Sequence, residues 1–516
     1  MITGPGCDRG AVIAGLMIAG QTAPTLRHTE GKHKLNGTRK KFLKDILVVE
    51  AGNLFVLLSS VMVGLVVPKL MGVVGYGYYQ IFTLYMTYTA LLHAGFIDGV
   101  LLVHGGETYD EIDRKRFRLN TKFFTAFQAA AALLVIAAAC LFMKGIYRYI
   151  FIMVGADTVV TNVTKYYQYV SQATMRFREW SLRKVLQAGF KIAIVLFFIL
   201  QHRMGRIDEL SCVSFTAAIV VVDTLLLIWY MYTYREISFG EALSLKGNWP
   251  GLAVYFRCGI ALTIAYEIST LIFSLDRQFV SVLFDTATYG IYSFAYRLVY
   301  MVTTVVSAVS TVLFPTLKRK SKEQVLGAFD TGMALISIVV FAAMAGYYPL
   351  CLFIRYFLGE YTESLAYFRI LFPGIALHSC ISAIIFNYYK VLDKNMLYFG
   401  ICCFVLGFAA ASNYALYLII GTPAAFSIAS IISLFVWYLG AEWYLVRKYK
   451  VKWVRNLAYI CLMTAVFYAV TALLPGSLWG MLIYAAVYAA VTAAVMGDLL
   501  AKYSPLGIFR KRNGRI

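Results

Sequence analysis

Long apolar stretches separated by short polar segments recur along the chain from residue 46 onwards. Each is long enough to cross a hydrocarbon layer about 30 Å thick as a helix, and a helix satisfies its own backbone hydrogen bonds in lipid. Fourteen such stretches cover residues 46–67, 79–103, 122–143, 150–171, 185–201, 210–232, 252–275, 288–314, 329–348, 367–389, 396–419, 423–446, 457–474 and 478–500. The pattern predicts an all-α polytopic membrane protein with about 14 transmembrane helices.

The composition agrees with this pattern. Only 14% of the residues are charged and the mean hydropathy is +0.71, whereas soluble domains carry about 25% charged residues. The net charge of +21 comes from 47 Lys and Arg residues, and about five times as many of them lie in loops on the N-terminal side of the membrane as on the other side. This bias predicts that both termini are cytoplasmic, and it explains the basic charge without a nucleic-acid partner.

A short repeated motif predicts the domain organisation. Gly75–Tyr79 opens the second span, and the similar segment Thr288–Tyr292 opens the eighth. An even number of spans separates the two copies, so we expect a parallel repeat of two six-helix lobes. The lobes cover residues 45–235 and 252–446, and two extra transmembrane helices follow in 457–500. Residues 1–44 are expected to form a disordered basic cytoplasmic tail, and residues 501–516 a second basic cytoplasmic tail.

One face of the eighth span is polar along its length. Tyr289, Ser293, Arg297, Tyr300 and Thr304 recur at helical spacing, and Arg297 lies near the middle of the span. An arginine at that depth costs about 2.5–3.5 kcal/mol on insertion scales, so it should face protein or water. We predict a cavity for an anionic substrate, bound by a set of basic and polar side chains: Arg297, Arg257, Tyr300, Ser293, Thr304 and Lys191.

Two acidic residues of the seventh span are candidates for ion coupling. Glu267 lies near the middle of the span and Asp276 at its outer end, and intramembrane acids commonly carry protons or cations. The alternative for Arg257 and Glu267 is an intramembrane salt bridge that only positions helices. Lys191 could instead extend to the interface, and Asp98 and His93 are expected to have structural roles.

The polar segments between the spans leave no room for a catalytic domain. None exceeds about twenty residues, and neither a Walker GxxxxGK[ST] sequence nor an HExxH sequence is present. The six histidines show no metal-ligand spacing. We therefore expect a transporter, with no catalytic residue, no cofactor and no metal site.

Six short segments resemble, in order and spacing, the bacterial polysaccharide biosynthesis proteins of the Wzx O-antigen flippase type. They are Val67–Gly72, Gly75–Gln80, Gly95–Gly99, Leu275–Arg277, Tyr289–Tyr292 and Leu313–Pro315, and the resemblance covers roughly residues 40–450. It implies membership of the multidrug/oligosaccharidyl-lipid/polysaccharide exporter superfamily, with two six-helix lobes around a central cavity and alternating access.

The implied substrate is an undecaprenyl-diphosphate-linked oligosaccharide, carried from the cytoplasmic to the periplasmic leaflet of the bacterial inner membrane. Such flippases supply O-antigen, capsule or exopolysaccharide synthesis; the implied partners are a proton or sodium gradient and the glycan polymerase and glycosyltransferases of that pathway. Tyr296–Leu298 also resembles the segment that places an arginine in the cavity of lipid II flippases. The chain departs from those proteins at Glu50 and Leu84, where their arginine cluster is missing, which favours the oligosaccharide branch.

Two other functions remain open at the level of the sequence. A cation-coupled multidrug exporter of the same fold would have a cavity dominated by carboxylates, whereas the residues selected above are mostly basic. An integral membrane glycan polymerase, ligase or acyltransferase would require a sizeable outer loop with catalytic side chains, and the outer loops here are short.

Overall fold

The computed structural model describes residues 32–174, 176–318, 322–392 and 394–503, with their side chains except those of 32–51, 53–54, 177–178, 304–318, 500 and 502–503. Residues 1–31 and 504–516, which make up most of the two predicted tails, lie outside this part of the chain. The side chain of Thr304, a predicted substrate contact, also lies outside the described residues.

The helices of the first half of the chain are joined by short connections. A 3₁₀ turn, Thr89–His93, links the first two of them. In chain order they are α1 Lys32–Tyr88, α2 Phe96–His104, α3 Arg114–Phe142, α4 Gly145–Ala173, α5 Phe177–Arg203, α6 Cys212–Thr233, α7 Arg235–Ser238 and α8 Leu245–Leu283.

The second half continues in the same way, with two shorter 3₁₀ turns at Met344–Gly346 and Gly359–Tyr361. Its helices are α9 Thr286–Lys318, α10 Lys322–Ala343, α11 Tyr347–Phe357, α12 Ser364–Leu371, α13 Gly374–Ser379, α14 Phe386–Val391, α15 Asn395–Ile420, α16 Ala424–Tyr449, α17 Val454–Leu473 and α18 Leu478–Tyr503.

The prediction of an all-α polytopic membrane protein is confirmed. Helical residues make up most of each of the fourteen predicted spans, and the described residues contain no strand. Ten described helices are long and apolar enough to cross a membrane, or eleven if one bent pair counts as a span. Three features bring this number below fourteen. The segment Phe55–His93 counts as one helix although it contains parts of two predicted spans. Helix α4 is less apolar because it carries Asp157, Asn162 and Lys165, and the side chains of α9 are described only in part.

Helix α1 extends further towards the N-terminus than the first predicted span. It begins at Lys32, inside the segment expected to be disordered. Most of the residues from Lys32 to Lys44 are Lys, Arg and Leu, which are strong helix formers, so the helix extends beyond the apolar span. The break between the first two predicted spans is Gly72, whose φ of 64° and ψ of 175° belong to a region that is essentially restricted to glycine.

The tenth predicted span is a broken helix. Helix α12 and the segment Gly374–Val391 meet at an angle of 45°, with Pro373 at the break. Proline cannot donate a backbone hydrogen bond, so breaks of this kind are expected at its position. A π-helical turn, Cys380–Ile385, follows between α13 and α14. Single π turns within membrane helices are frequent at functional sites.

One arginine joins the two C-terminal helices to α10. The guanidinium of Arg455, at the start of α17, donates to Asp330 of α10 over 2.7 Å and to Asp498 of α18 over 2.8 Å. The neighbouring Asn456 donates a further hydrogen bond of 2.9 Å to Asp330. Because the arginine is bidentate across two carboxylates, it fixes the relative positions of three helices.

The chain forms two compact units, and their boundary differs from the predicted one. The first unit contains the residues up to Ser274 together with Asp285–Gly290, and the second contains Leu275–Phe284 and the residues from Ile291 onwards. The sequence placed residues 252–274 in the second lobe. In the structure this part of α8 packs in the first unit, with its backbone against that of α2.

The reason for this packing is a set of glycines. A Cβ atom at Gly259 of α8 would overlap the carbonyl of Gly95, and one at Gly99 of α2 would overlap the carbonyl of Tyr255. Small residues at such a contact allow two membrane helices to approach through their backbones. The close approach holds the part of α8 from Tyr255 to Ile260 against α2 and the residue before it, Gly95.

We predict that Gly259→Ala destabilises the protein, because the new methyl group overlaps backbone atoms that cannot move away. Overpacking of this kind typically costs about 1–3 kcal/mol. The measurement is the melting temperature of the purified protein in detergent. The matched control is Gly189→Ala in α5, where a Cβ atom meets nothing within 4 Å. Equal melting temperatures for the two variants would contradict the close packing.

Candidate functional site

A polar cavity lies within the first unit where the 3₁₀ turn, α2, α4 and α8 meet. Its volume is about 240 Å³, and several water molecules fit in such a space. Most of its lining residues are polar, and three of them, His93, Asp98 and Glu267, carry an imidazole or a carboxyl group. The other lining residues are Leu101, Tyr169, Gln172, Thr263 and Tyr266.

The backbone between the 3₁₀ turn and α2 brings His93 and Asp98 to the same cavity. Ala94 and Gly95 have φ angles of 49° and 86°, so two consecutive left-handed residues interrupt the helix between them. The amide of Gly95 donates to Nδ1 of His93 over 3.2 Å. Since Nδ1 accepts, the other ring nitrogen, Nε2, carries the proton of the neutral imidazole.

Asp98 is held in place by a neighbouring helix. Its side chain is 4% exposed, and it accepts a hydrogen bond from the hydroxyl of Thr263 on α8. A buried carboxylate requires such donors, because burial without them costs several kcal/mol. The carboxylate of Asp98 is thus buried and directed towards α8.

Lys165 of α4 supplies the positive charge of this region. Its ammonium acts electrostatically on Glu267, Asp98 and Asp157, and also on His93. Within the described part of the chain, Lys165 forms no direct ion pair. One cation is therefore shared among several acids rather than paired with one.

Lys191, predicted to contact substrate, lies in a second polar cluster of the first unit. It is half-buried on α5. Its positive charge and the negative charge of Asp223 on α6 both act electrostatically on Asp157 of α4. Gln187, one turn before Lys191, donates to Asp223 over 2.8 Å. Two nearby carboxylates balance the positive charge of Lys191, so the cluster joins α4, α5 and α6.

Asp276, the second predicted ion-coupling residue, is surrounded by donors within the second unit. It is 1% exposed and accepts hydrogen bonds from Ser430 over 2.7 Å and from Tyr292 over 3.0 Å. The hydroxyl of Tyr296 and the amide of Arg277 also donate to it. Four donors satisfy the charged form of this carboxylate. The hydroxyl oxygens around it are of the kind that hard cations accept as ligands.

The predicted polar stripe of α9 does not line an open cavity throughout. Tyr289 and Ser293 are buried, whereas Arg297 is half-buried and Tyr300 is 58% exposed. The guanidinium of Arg297 lies 5.9 Å from the centre of the Tyr300 ring. Helical spacing correctly grouped these residues on one face, but packing covers the first part of that face.

The basic residues selected from the sequence do not line the cavity of the first unit. Arg257 and Glu267 lie on the same helix, α8. Arg257 is exposed, and only Glu267 borders the cavity. The residues that sequence reasoning did not select are His93, Asp98, Lys165, Gln172 and Thr263. Lys165 could have been found from its place in the least apolar span, and Asp98 from its position inside the glycine motif Gly95–Gly99.

Comparison with known proteins identifies the fold. No protein-family model and no curated protein matches the sequence. Among solved structures, the chain is similar to lipid II flippase MurJ in an inward closed conformation, with 14% identity, a TM-score of 0.64 and coverage of 89% of this chain and 100% of the flippase.

The chain is also similar to a multidrug resistance MATE family transporter of the MOP superfamily in an inward-facing conformation. The identity is 13%, the TM-score is 0.53, and the match covers 77% of this chain and 96% of the transporter. At these identities the likeness concerns the fold. The chain is a multi-pass membrane protein with the fold shared by these transporters.

We predict that Lys165 and Glu267 are energetically coupled. Replacing Lys165 by Met leaves the carboxylates of the cavity without their shared cation, and Glu267→Gln removes part of that penalty. A double-mutant cycle on the free energy of unfolding in detergent should give a coupling of about 0.5–3 kcal/mol. The control pairs Lys165→Met with Thr233→Val, whose hydroxyl donates within its own helix. Additivity of Lys165 and Glu267 would disprove the shared charge.

Proposed function

We propose that this protein is a flippase that moves an undecaprenyl-diphosphate-linked oligosaccharide from the cytoplasmic to the periplasmic leaflet by alternating access. The product would serve surface polysaccharide synthesis, as O-antigen, capsule or exopolysaccharide. In this proposal the protein lies in the bacterial inner membrane with both termini in the cytoplasm, and it is a transporter of the Wzx type rather than an enzyme.

The observation that carries the proposal is a polar cavity with ionisable groups, among helices that are otherwise long and apolar. Such groups are expensive in a membrane and usually mark a transport path. The fold supports the same conclusion, since the match to the lipid II flippase covers 89% of this chain and that to the multidrug transporter 77%. The motif resemblance described for residues 40–450 directs the choice towards a lipid-linked oligosaccharide.

The proposed roles of the side chains follow their charges. Arg297, Arg257 and Lys191 would attract the diphosphate, and Tyr300, Ser293 and Thr304 would contact the glycan or its phosphates. Glu267 and Asp276 would couple transport to a proton or sodium gradient. Of these, Glu267 has the strongest structural support, because it borders a cavity that also contains Asp98 and Thr263.

One observation favours the alternative of a cation-coupled multidrug exporter. The cavity of the first unit is bordered by two carboxylates, Asp98 and Glu267, and by no arginine. That is the charge expected for a cationic substrate. In the flippase proposal these carboxylates bind the coupling ion, and basic residues elsewhere bind the diphosphate. In the exporter alternative the carboxylates bind the cationic substrate.

Deletion of the gene separates these functions. The flippase proposal predicts that intact lipid-linked repeat units accumulate in the cytoplasmic leaflet while surface glycan is lost, because synthesis continues without translocation. The measurement is mass spectrometry of the lipid extract alongside quantification of surface glycan. Unchanged glycan with new sensitivity to cationic dyes would identify a drug exporter instead.

Complementation of the deletion tests the side chains. Arg297→Ala should restore less than a tenth of surface glycan, because a buried or half-buried charge contact to a phosphate contributes about 1.5–3 kcal/mol, whereas Arg297→Lys should retain most of it. Glu267→Gln should fail as well if this acid carries the coupling ion. The control is Arg355→Ala, which removes an exposed arginine of α11. Normal export by Arg297→Ala would refute a charge role.

A further inference from the structure

A second pocket opens on the surface of the first unit, away from the cavity of the candidate site. Its volume is about 410 Å³. It lies where α3 begins, where the chain enters α5 and where α6 ends, so it occupies one end of three membrane-spanning helices. Its principal lining residues are Tyr109, Arg114, Arg176, Trp229, Tyr232 and Arg235.

The charge of the pocket favours an anion. Three arginines line it, together with the acids Asp110 and Glu236. Arg114 is paired with Glu236 over 3.1 Å, whereas Arg235 forms no ion pair among the described residues. Asp110 is exposed, so water screens its charge. Arg176 forms a longer ion pair, 3.7 Å, with Glu179 through one of its terminal nitrogens. The other nitrogens of its guanidinium and the guanidinium of Arg235 can form hydrogen bonds to a phosphate.

Tyr109 is a donor without a partner in this pocket. The residue is 7% exposed, and its hydroxyl is buried without a hydrogen bond to any described residue. The guanidinium carbon of Arg176 lies 3.8 Å from the centre of its ring, a cation–π contact that fixes the arginine. Burial raises the pKa of Tyr109 to about 12, so the hydroxyl keeps its proton at neutral pH. The contribution of Tyr109 to the pocket is therefore its ring, which holds the guanidinium of Arg176 in place.

The surface beside the pocket is apolar and continues along α6. Val221, Leu225, Ile228 and Tyr232 are each more than half exposed, and their spacing places them on one face of the helix. Trp229 and Tyr232 lie at the end of that face, where aromatic side chains are typical of the interface between hydrocarbon and headgroups. A ligand in the pocket therefore has an apolar path for acyl chains leading directly from it.

We propose that this pocket binds the headgroup of an anionic phospholipid. Arg176 and Arg235 hold the phosphate, the ring of Tyr109 positions Arg176, and the acyl chains lie along the exposed face of α6. The site is a resident lipid site of the first unit. It is independent of the substrate proposed above, because none of its lining residues borders the cavity that contains Glu267.

The test is native mass spectrometry of the purified full-length protein with phosphatidylglycerol and with phosphatidylcholine of the same acyl chains. Phosphatidylglycerol should bind more tightly to the unmodified protein. The variant Arg176→Gln/Arg235→Gln should lose about tenfold or more of this affinity, since a hydrogen bond to a charged group contributes at least that factor. The matched control is Lys115→Gln, which removes an exposed positive charge beside Arg114 but outside the pocket.

The outcomes distinguish the proposal from a general attraction between basic loops and anionic lipid. Equal losses in the pocket variant and in Lys115→Gln would overturn the site. So would tight binding of inorganic phosphate with no preference between the two lipids, because the ligand would then be a free anion. If the double variant melts at a lower temperature without lipid, Arg235→Gln alone decides the question, since Arg235 is exposed and its loss leaves the packing unchanged.

Discussion

The contact between the backbones of α2 and α8 supports the candidate site. Gly95, Gly99 and Gly259 remove the side chains that would separate the two helices, and Thr263, one turn after Gly259, then reaches Asp98. Without that approach the carboxylate of Asp98 would be buried without its donor. The helix packing and the hydrogen bonding of Asp98 therefore depend on each other. The close approach that the glycines allow brings the donor that a buried carboxylate requires.

The distribution of charge separates two kinds of intramembrane polar residue. Asp276 has a complete set of donors, and Arg455 is bidentate between two carboxylates, so both groups are satisfied by the protein alone. Around the cavity, by contrast, a single ammonium from Lys165 acts on several acids. A site with more negative than positive charge lowers the stability of the folded protein. Binding of a proton or cation at such a site changes the electrostatic energy more than at a site whose charges are already paired.

Local pattern was sufficient for the spans and insufficient for the site. Each described helix that is long and apolar enough to cross a membrane overlaps a span predicted from hydropathy, because span length and apolar composition are local properties. The Thr263–Asp98 hydrogen bond joins residues 165 apart, and no periodicity relates them. Helical spacing placed Ser293 and Arg297 on one face but contained no information on what covers that face. The sequence assigned residues 252–274 to the second lobe from the order of the spans. Span order does not show which helices pack together, whereas the glycine contacts in the structure do.

The bridge made by Arg455 has a consequence for biosynthesis. Asp330 precedes Arg455 by 125 residues, so at about 5–20 residues per second the carboxylate of α10 enters the membrane region roughly six to twenty-five seconds before its guanidinium partner exists. During this interval Asp330 depends on water, headgroups or the insertion machinery for solvation. The C-terminal pair of helices thus completes the charge balance of a helix made much earlier. A chain that stops before α17 therefore leaves Asp330 without its cation.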